Sequence, residues 1–229
     1  HYGQVLVTNF YQFALVTRDR ASGEPTVEER YALAKDALDF WEAARNPKGL
    51  AQKHETALRE FLKRVMRRNA TLVSPREVAW ILASYAREAK ARIEQSAAGF
   101  AEYDQIRADL ERALGMTFDG AEGDKFFRST LIQTLFYGIF SSWVIWHEET
   151  NGSEAYFNLW RDTRRLSVPI LQELFFQLIH PRKLKPLGIE DILEWTANAL
   201  NRVDRLSFFA TFNTGEAVQY FYEPFLEAV

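Results

Sequence analysis

The uncharged segment 131–146 (LIQTLFYGIFSSWVIW) constrains the fold more than any other part of the chain. It is apolar almost all round, and a helix that is hydrophobic on every side is buried by its neighbours. A membrane span needs about 20 apolar residues, whereas this segment contains polar residues such as Gln133 and is flanked by Arg128 and Glu148. We therefore expect a helix over residues 124–146 at the centre of a soluble core, with other helices around it.

The composition supports a folded domain and excludes several kinds of site. The chain has 229 residues, of which 47% are hydrophobic and 14% aromatic, enough to bury a sizeable core. The absence of cysteine excludes disulfides, thiolate metal sites and a cysteine nucleophile. No signal peptide is visible, and we expect a cytoplasmic location. The net charge of −3 argues against a polycation that coats nucleic acid.

Local patterns predict an all-α, multi-helix bundle with a short N-terminal β-hairpin or strand pair. Apolar runs over residues 4–17 are typical of two strands. Thr26 and Glu29 have capping-box spacing, which predicts a helix that continues to the break at Asn46. We accordingly divide the chain into a strand pair (1–25) and a helical domain (26–229). The same reasoning predicts further helices over residues 50–68, 74–97, 101–114, 153–161, 168–179, 189–203 and 216–228.

The sequence carries few signals of catalysis. It contains no phosphate-binding loop, no dinucleotide-binding glycine motif and no nucleophile elbow. Glu88 and Lys90 are two positions apart in a predicted helix, so they do not share a face as a nuclease pair would. The one His–acid cluster, at residues 147–149, is interpreted as a solvated helix end. We assign no catalytic residue and no metal ligand. Gly138 is expected to allow another helix to approach closely.

Three basic clusters are candidates for contact with the DNA backbone. Each could neutralise phosphates and give salt-dependent, sequence-independent affinity. Each also has acidic residues nearby in the sequence, so an ordinary solvated surface is the competing interpretation. The candidate residues are Lys63, Arg64, Arg67 and Arg68 in the first cluster, Arg161, Arg164 and Arg165 in the second, and Arg182, Lys183 and Lys185 in the third.

Four segments, in order, resemble a region of Eco57I-like and type ISP bacterial restriction-modification enzymes. Residues 8–16 (TNFYQFALV) are similar to the stretch that closes the nuclease-like domain of those enzymes. Residues 135–146, 168–204 and 217–226 are similar to segments of the helical region that follows. In the family, an N6-adenine DNA methyltransferase module comes next.

The resemblance implies a non-catalytic helical domain that couples a nuclease-like module to a methyltransferase module. The parent polypeptide would use S-adenosylmethionine, with Mg²⁺ for any endonuclease, but the Asn-Pro-Pro-Tyr and cofactor-binding motifs are missing here. We expect no cofactor in this chain. The implied partners are DNA, contacted weakly through its backbone, and the two adjacent modules, with no membrane partner. The chain has no initiator methionine, and we expect both ends to be cuts through a longer polypeptide. A helical protein-interaction scaffold with no DNA role is the alternative.

Overall fold

The computed structural model describes residues 3–19, 22–96, 101–151, 153–165, 175–176, 178–179 and 181–212. The chain divides into two compact units, His1–Ala70 (unit 1) and Thr71–Val229 (unit 2). The architecture is mainly helical with a small N-terminal antiparallel sheet, so the predicted fold class is confirmed. The boundary between the units does not coincide with the predicted division at residue 25.

Unit 1 is a three-stranded sheet with helices packed on it. Its elements are β1 (Gln4–Thr8), β2 (Gln12–Arg18), β3 (Pro25–Ala32), α1 (Ala37–Ala43) and α2 (Pro47–Met66). The strands are antiparallel in the order β1-β2-β3. One face of the sheet is buried: Leu15 and Tyr31 form a small core with Phe61 and Val65 of α2. This core is independent of the larger one in unit 2.

The helix predicted from Thr26 to Asn46 is wrong in its first half, because residues 25–32 form strand β3. Its second half is present as α1. Thr26 pairs with Thr17 of β2, and Glu29 pairs with Leu15. The carboxylate of Glu29 does not cap a helix; it points into the unit 1 core. Unit 1 therefore has three strands where the sequence predicted two.

The regular elements of the described part of unit 2 are helices, and an isolated parallel bridge joins Leu72 to Val203. Its elements are α3 (Pro75–Ser96), α4 (Ala101–Leu114), α5 (Gly120–Thr150), α6 (Leu159–Asp162), a 3-10 turn (Thr163–Arg165), α7 (Pro181–Leu184), α8 (Glu190–Leu200) and α9 (Arg205–Thr211). Helices α2, α3, α4 and α8 confirm the predictions over 50–68, 74–97, 101–114 and 189–203 to within a few residues. The helix predicted over 153–161 is present only at its end, as α6. This helix starts at Leu159 because Asn158 caps it.

Other predictions fall largely or wholly outside the described residues. The helix predicted over 168–179 can be followed only at Phe175, Phe176 and Leu178, which are helical. The helix predicted over 216–228 lies outside the described residues. Helices α7 and α9 were not predicted.

Helix α5 forms the centre of the unit 2 core, as predicted. It packs against α3, α6, the 3-10 turn and α8. Its buried residues lie on every side of the helix, and Trp143 and Trp146 are almost completely inaccessible. It is longer than predicted: it ends where Asn151 adopts a left-handed conformation with φ 47°. Position 123 in this helix requires glycine, because the Cβ atom of any other residue would collide with the backbone of Phe118.

A membrane role for α5 finds no support in its composition. Across the part of the chain that the structure describes, every helix is too short or too polar to serve as a membrane span.

Gly138 on α5 lies directly under the ring of Phe175, which confirms the predicted close approach. A Cβ atom at this position would be 2.2 Å from Cδ2 of Phe175, whose side chain is 1% exposed. Contacts this short force the neighbouring ring to move.

We expect Gly138→Ala to lower the free energy of unfolding by about 1–3 kcal/mol, the usual cost of overpacking a core. Urea denaturation followed by circular dichroism measures the change. Gly3→Ala is the control, since a Cβ atom there meets nothing within 4 Å. Combining Gly138→Ala with Phe175→Ala should cost less than the sum of the two single changes. A neutral Gly138→Ala would contradict the packing described here.

Candidate functional site

The first basic cluster, at the end of α2, is largely committed to ion pairs within unit 1. Arg64 is 2% exposed, and its Nε lies 2.6 Å from Oε1 of Glu29, which is equally buried. Arg68 forms an ion pair with Glu28, the neighbouring residue on β3. The first pair joins the last turn of α2 to β3, and the second joins β3 to the segment that follows α2. Arg64 therefore leaves the set of candidate phosphate contacts, because its guanidinium is inside the protein.

The other members of this cluster are closer to the surface. Lys63 forms an ion pair with Glu60 at 3.2 Å, and its side chain is 45% exposed. Arg67 is exposed at the end of α2, and it too takes part in interactions within the protein. A phosphate would have to compete with existing partners for both side chains.

The second cluster is divided between an internal network and the surface. Arg161 donates to both carboxylate oxygens of Asp162, each at 2.8 Å, and to Glu154 at 2.7 Å. Asp162 is completely buried, so this network holds the short helix α6 in place. Arg164 is exposed, and no described carboxylate pairs with it. The side chain of Arg165 lies outside the described part.

The third cluster is divided in the same way. Lys183 donates to Asp109 of α4 at 2.8 Å. Burial acts to raise the pKa of Asp109, but hydrogen bonds from Lys183 and Gln105 outweigh it and lower the pKa below its ordinary value. Lys185 is exposed and has no acidic partner among the described residues. Of Arg182 only the backbone is described.

The His–acid cluster at residues 147–149 is a solvated helix end only in part: Glu148 and Glu149 are exposed in the last turn of α5, whereas His147 is half-buried. The ring of His147 stacks on Phe209 of α9, with centroids 4.0 Å apart and planes inclined by 6°. Its Nδ1 is buried and has no hydrogen-bond partner among the described residues. Burial and the nearby Arg205 lower the pKa of His147, against a smaller opposite effect of Glu148. Across the described residues, no three His, Asp or Glu side chains converge on a possible metal position.

An apolar groove in unit 1 was not predicted from the sequence. It has a volume of about 760 Å³ and lies between α1, α2 and the segment after β3. Its floor includes a stripe along α2 in which residues recur every four positions, the period at which side chains share a helix face. The stripe consists of Leu50, His54, Leu58, Leu62 and Met66. This spacing is visible in the sequence and could have identified the apolar face of α2, which forms part of the floor of the groove.

His54 is the main polar group of the groove floor. Its Nδ1 shares a hydrogen bond of 2.9 Å with the hydroxyl of Tyr31, and its Nε2 is buried without a described partner. Burial, and to a lesser degree Lys53, lowers the pKa of His54. The groove can accommodate apolar groups, and its lining also includes the titratable residues His54, Glu55 and Lys63.

Other large apolar side chains of unit 1 are also exposed. Trp41 and Leu38 on α1 are 64% and 79% exposed. At the tip of the β1–β2 hairpin, Phe10 has a φ of 77° and is 78% exposed. Positive φ is unusual for a residue with a bulky side chain, and here Thr8 and Asn9 hold the turn through hydrogen bonds to backbone N–H groups.

Comparison with known proteins gives no further guide to the function. No family model matches the sequence, and neither a curated protein nor a solved structure matches it significantly.

For the buried Arg64–Glu29 pair, we predict that removing one charge lowers the stability of unit 1 more than removing both charges. Arg64→Ala leaves a carboxylate buried without its cation and should lower the free energy of unfolding of unit 1 by about 3–5 kcal/mol. The double change Glu29→Leu with Arg64→Met removes both charges and should cost much less. Lys63→Ala, one residue away, is the control: its pair with Glu60 is partly exposed, and such pairs contribute about 0–1 kcal/mol. Chemical denaturation compares the variants, and equal losses for Arg64→Ala and Lys63→Ala would contradict the assignment.

The His147–Phe209 stack predicts a loss of stability in mild acid. Unfolded histidine has a pKa of about 6.5, and the pKa of His147 is lower in the folded state. Between these two values the unfolded chain binds more protons, so the contribution of His147 is fully present above pH 6.5 and falls as the pH drops below it.

His147→Phe retains a stacked ring and removes the titrating group. We expect its midpoint of urea denaturation, followed by tryptophan fluorescence, to fall less between pH 7.5 and pH 5.5 than that of the wild type. A smaller dependence should remain, because the pKa of His54 is also lowered. Identical pH profiles for variant and wild type would show that His147 does not titrate as described.

Proposed function

We propose that this chain is a non-catalytic helical coupling domain of a bacterial restriction-modification N6-adenine DNA methyltransferase. The observation that carries the proposal is the order of the four segments that resemble the helical region of such enzymes. Residues 8–16 lie in the β1–β2 hairpin and residues 135–146 in α5. Residues 168–204 include α8, whereas residues 217–226 lie outside the described part.

The arrangement of charges favours coupling over tight DNA binding. Several candidate cations already have acidic partners: Lys63, Arg64, Arg68, Arg161 and Lys183. Each phosphate contact requires a cation that is free to replace counterions. Arg164 and Lys185 fit this requirement best, and Arg67 is exposed as well. Any DNA contact would therefore be weak and limited to the backbone.

The parent enzyme would supply what this chain lacks. Methyl transfer from S-adenosylmethionine, and any Mg²⁺-dependent cleavage, would take place in the two adjacent modules. The function of the chain would be to hold those modules at a fixed distance, for which a densely packed helical core is suitable because it resists deformation.

A protein-interaction scaffold without a DNA role is the second candidate. The apolar groove of unit 1 and the exposed Trp41 and Leu38 favour it. Exposed apolar surface of this kind often marks contacts with other proteins.

DNA titration separates the two candidates. We expect the purified chain to shift a duplex at low salt, with an affinity that falls steeply as salt rises and does not depend on sequence. Charge reversal through Arg164→Glu with Lys185→Glu should weaken binding about tenfold or more. The control, Arg76→Glu with Lys125→Glu, changes the net charge equally at other exposed positions of unit 2 and should have a smaller effect.

Two results would count against the proposal. An absence of binding at low salt would favour the scaffold. Transfer of a methyl group to DNA by this chain alone, measured with labelled S-adenosylmethionine, would contradict a non-catalytic role.

A further inference from the structure

The two outer strands of the unit 1 sheet differ in how they are protected. Unprotected sheet edges pair with other strands, and proteins block them with charges, prolines and bulges. Strand β3 has all three: it begins at Pro25, carries Glu28, Glu29 and Arg30, and is bulged against β2. Strand β1, with the sequence QVLVT, has no charge and no proline, and its pairing with β2 is regular over all five residues.

Among the described residues, β1 pairs with a strand on one side only, and its other edge (the free edge) presents backbone groups that a further strand can pair with. The N–H of Asn9 donates to the carbonyl of Gln12 across the turn, so these two residues form a hydrogen-bonded pair. Such pairs alternate along an antiparallel ladder. Val5 and Val7 therefore direct their backbone groups towards β2, and the residues between and beside them direct theirs to the free edge. Water can solvate these groups, and another extended chain can replace the water along the whole row of donors and acceptors.

We propose that β1 pairs with β1 of a second copy of this chain, antiparallel and centred on Leu6. The order of polar and apolar residues in QVLVT is the same when it is read in either direction. Two copies of the strand therefore match each other when they run antiparallel. In this register Leu6 faces Leu6 of the second copy, Val5 faces Val7, and Gln4 faces Thr8. The edge-directed residues Gln4, Leu6 and Thr8 then form the hydrogen-bonded pairs, which is the alternation that β1 already has with β2.

The side chains agree with this register on both faces of the sheet. Val5 and Val7 lie on the face opposite α2, and they are 50% and 51% exposed. In the paired sheet each would meet the other valine in a non-hydrogen-bonded pair, where side chains approach closely. A shift by one residue would reverse the facing of every side chain. Since β1 carries no charge, no repulsion opposes the two-fold pairing.

The area available predicts a weak, reversible dimer. Leu6 is 38% exposed, so the three apolar side chains of β1 have only about half of their surface left to bury. The interface is smaller than the roughly 1,200 Å² of stable complexes. We expect a dissociation constant on the order of 100 µM, and a six-stranded sheet in the dimer.

Sedimentation velocity of the full chain, from about 10 µM to about 500 µM, tests the proposal. We expect the average sedimentation coefficient to rise with concentration towards that of a dimer. Val5→Lys with Val7→Lys should abolish the rise, because the lysine at position 5 would face the lysine at position 7 of the second copy. Val5→Glu with Val7→Lys should restore it, because opposite charges then face each other twice.

Val27→Lys is the matched control. Val27 lies on the same sheet face and is 39% exposed, but it belongs to β3 at the other edge. It should leave dimerisation unchanged, and thermal melts should show that all variants fold. A chain that stays monomeric throughout would overturn the proposal. Equal disruption by Val27→Lys would indicate that the copies pack through the sheet face. Failure of the Glu–Lys variant to dimerise would exclude this register. Either result would overturn the proposal.

Discussion

Burial of helix α5 on all sides determines the arrangement of unit 2. A helix with one apolar stripe needs one neighbour, whereas α5 needs a shell that covers its whole circumference. Helices α3 and α8, together with α6 and the 3-10 turn, provide much of that shell. The fit is closest at Gly138, where the ring of Phe175 occupies the space of a side chain. Changes to this contact are therefore transmitted to elements that are far apart in the sequence.

Charged side chains that are partly exposed also link the helices of unit 2 to one another. Arg92 of α3 donates to Asp191 of α8 at 2.9 Å and to the carbonyl of Gly188 at 3.1 Å. Lys183 reaches Asp109 across 74 positions of sequence. Arginine suits this role because its guanidinium binds several acceptors at fixed angles. Cations that hold elements together in this way are not free for phosphate, which is why clustering of basic residues in the sequence overstated the surface available to DNA.

Local signals predicted the helices well and the sheet poorly. The local signals of α3 and the apolar run of α5 are properties of neighbouring residues, so they could be recognised without a partner. The spacing of Thr26 and Glu29 suits a capping box, but Glu29 instead binds Arg64, which lies 35 positions further along the chain. For the same reason Arg64 could not be recognised as a buried residue. The groove beside α2 depends on the approach of α1, which no local pattern specifies.

The two units differ in where apolar side chains reach the surface. In unit 2 exposed apolar residues such as Leu206 and Phe126 lie on separate helices, as in most folded proteins. In unit 1 several of them lie on β1, on the hairpin tip and on α1: Val5, Val7, Phe10, Leu38 and Trp41. A domain that couples other modules needs a stiff body and surfaces that contact its neighbours. Under the proposed coupling function, unit 2, which has the larger core, would serve as the stiff body, and unit 1 would offer the contact surfaces.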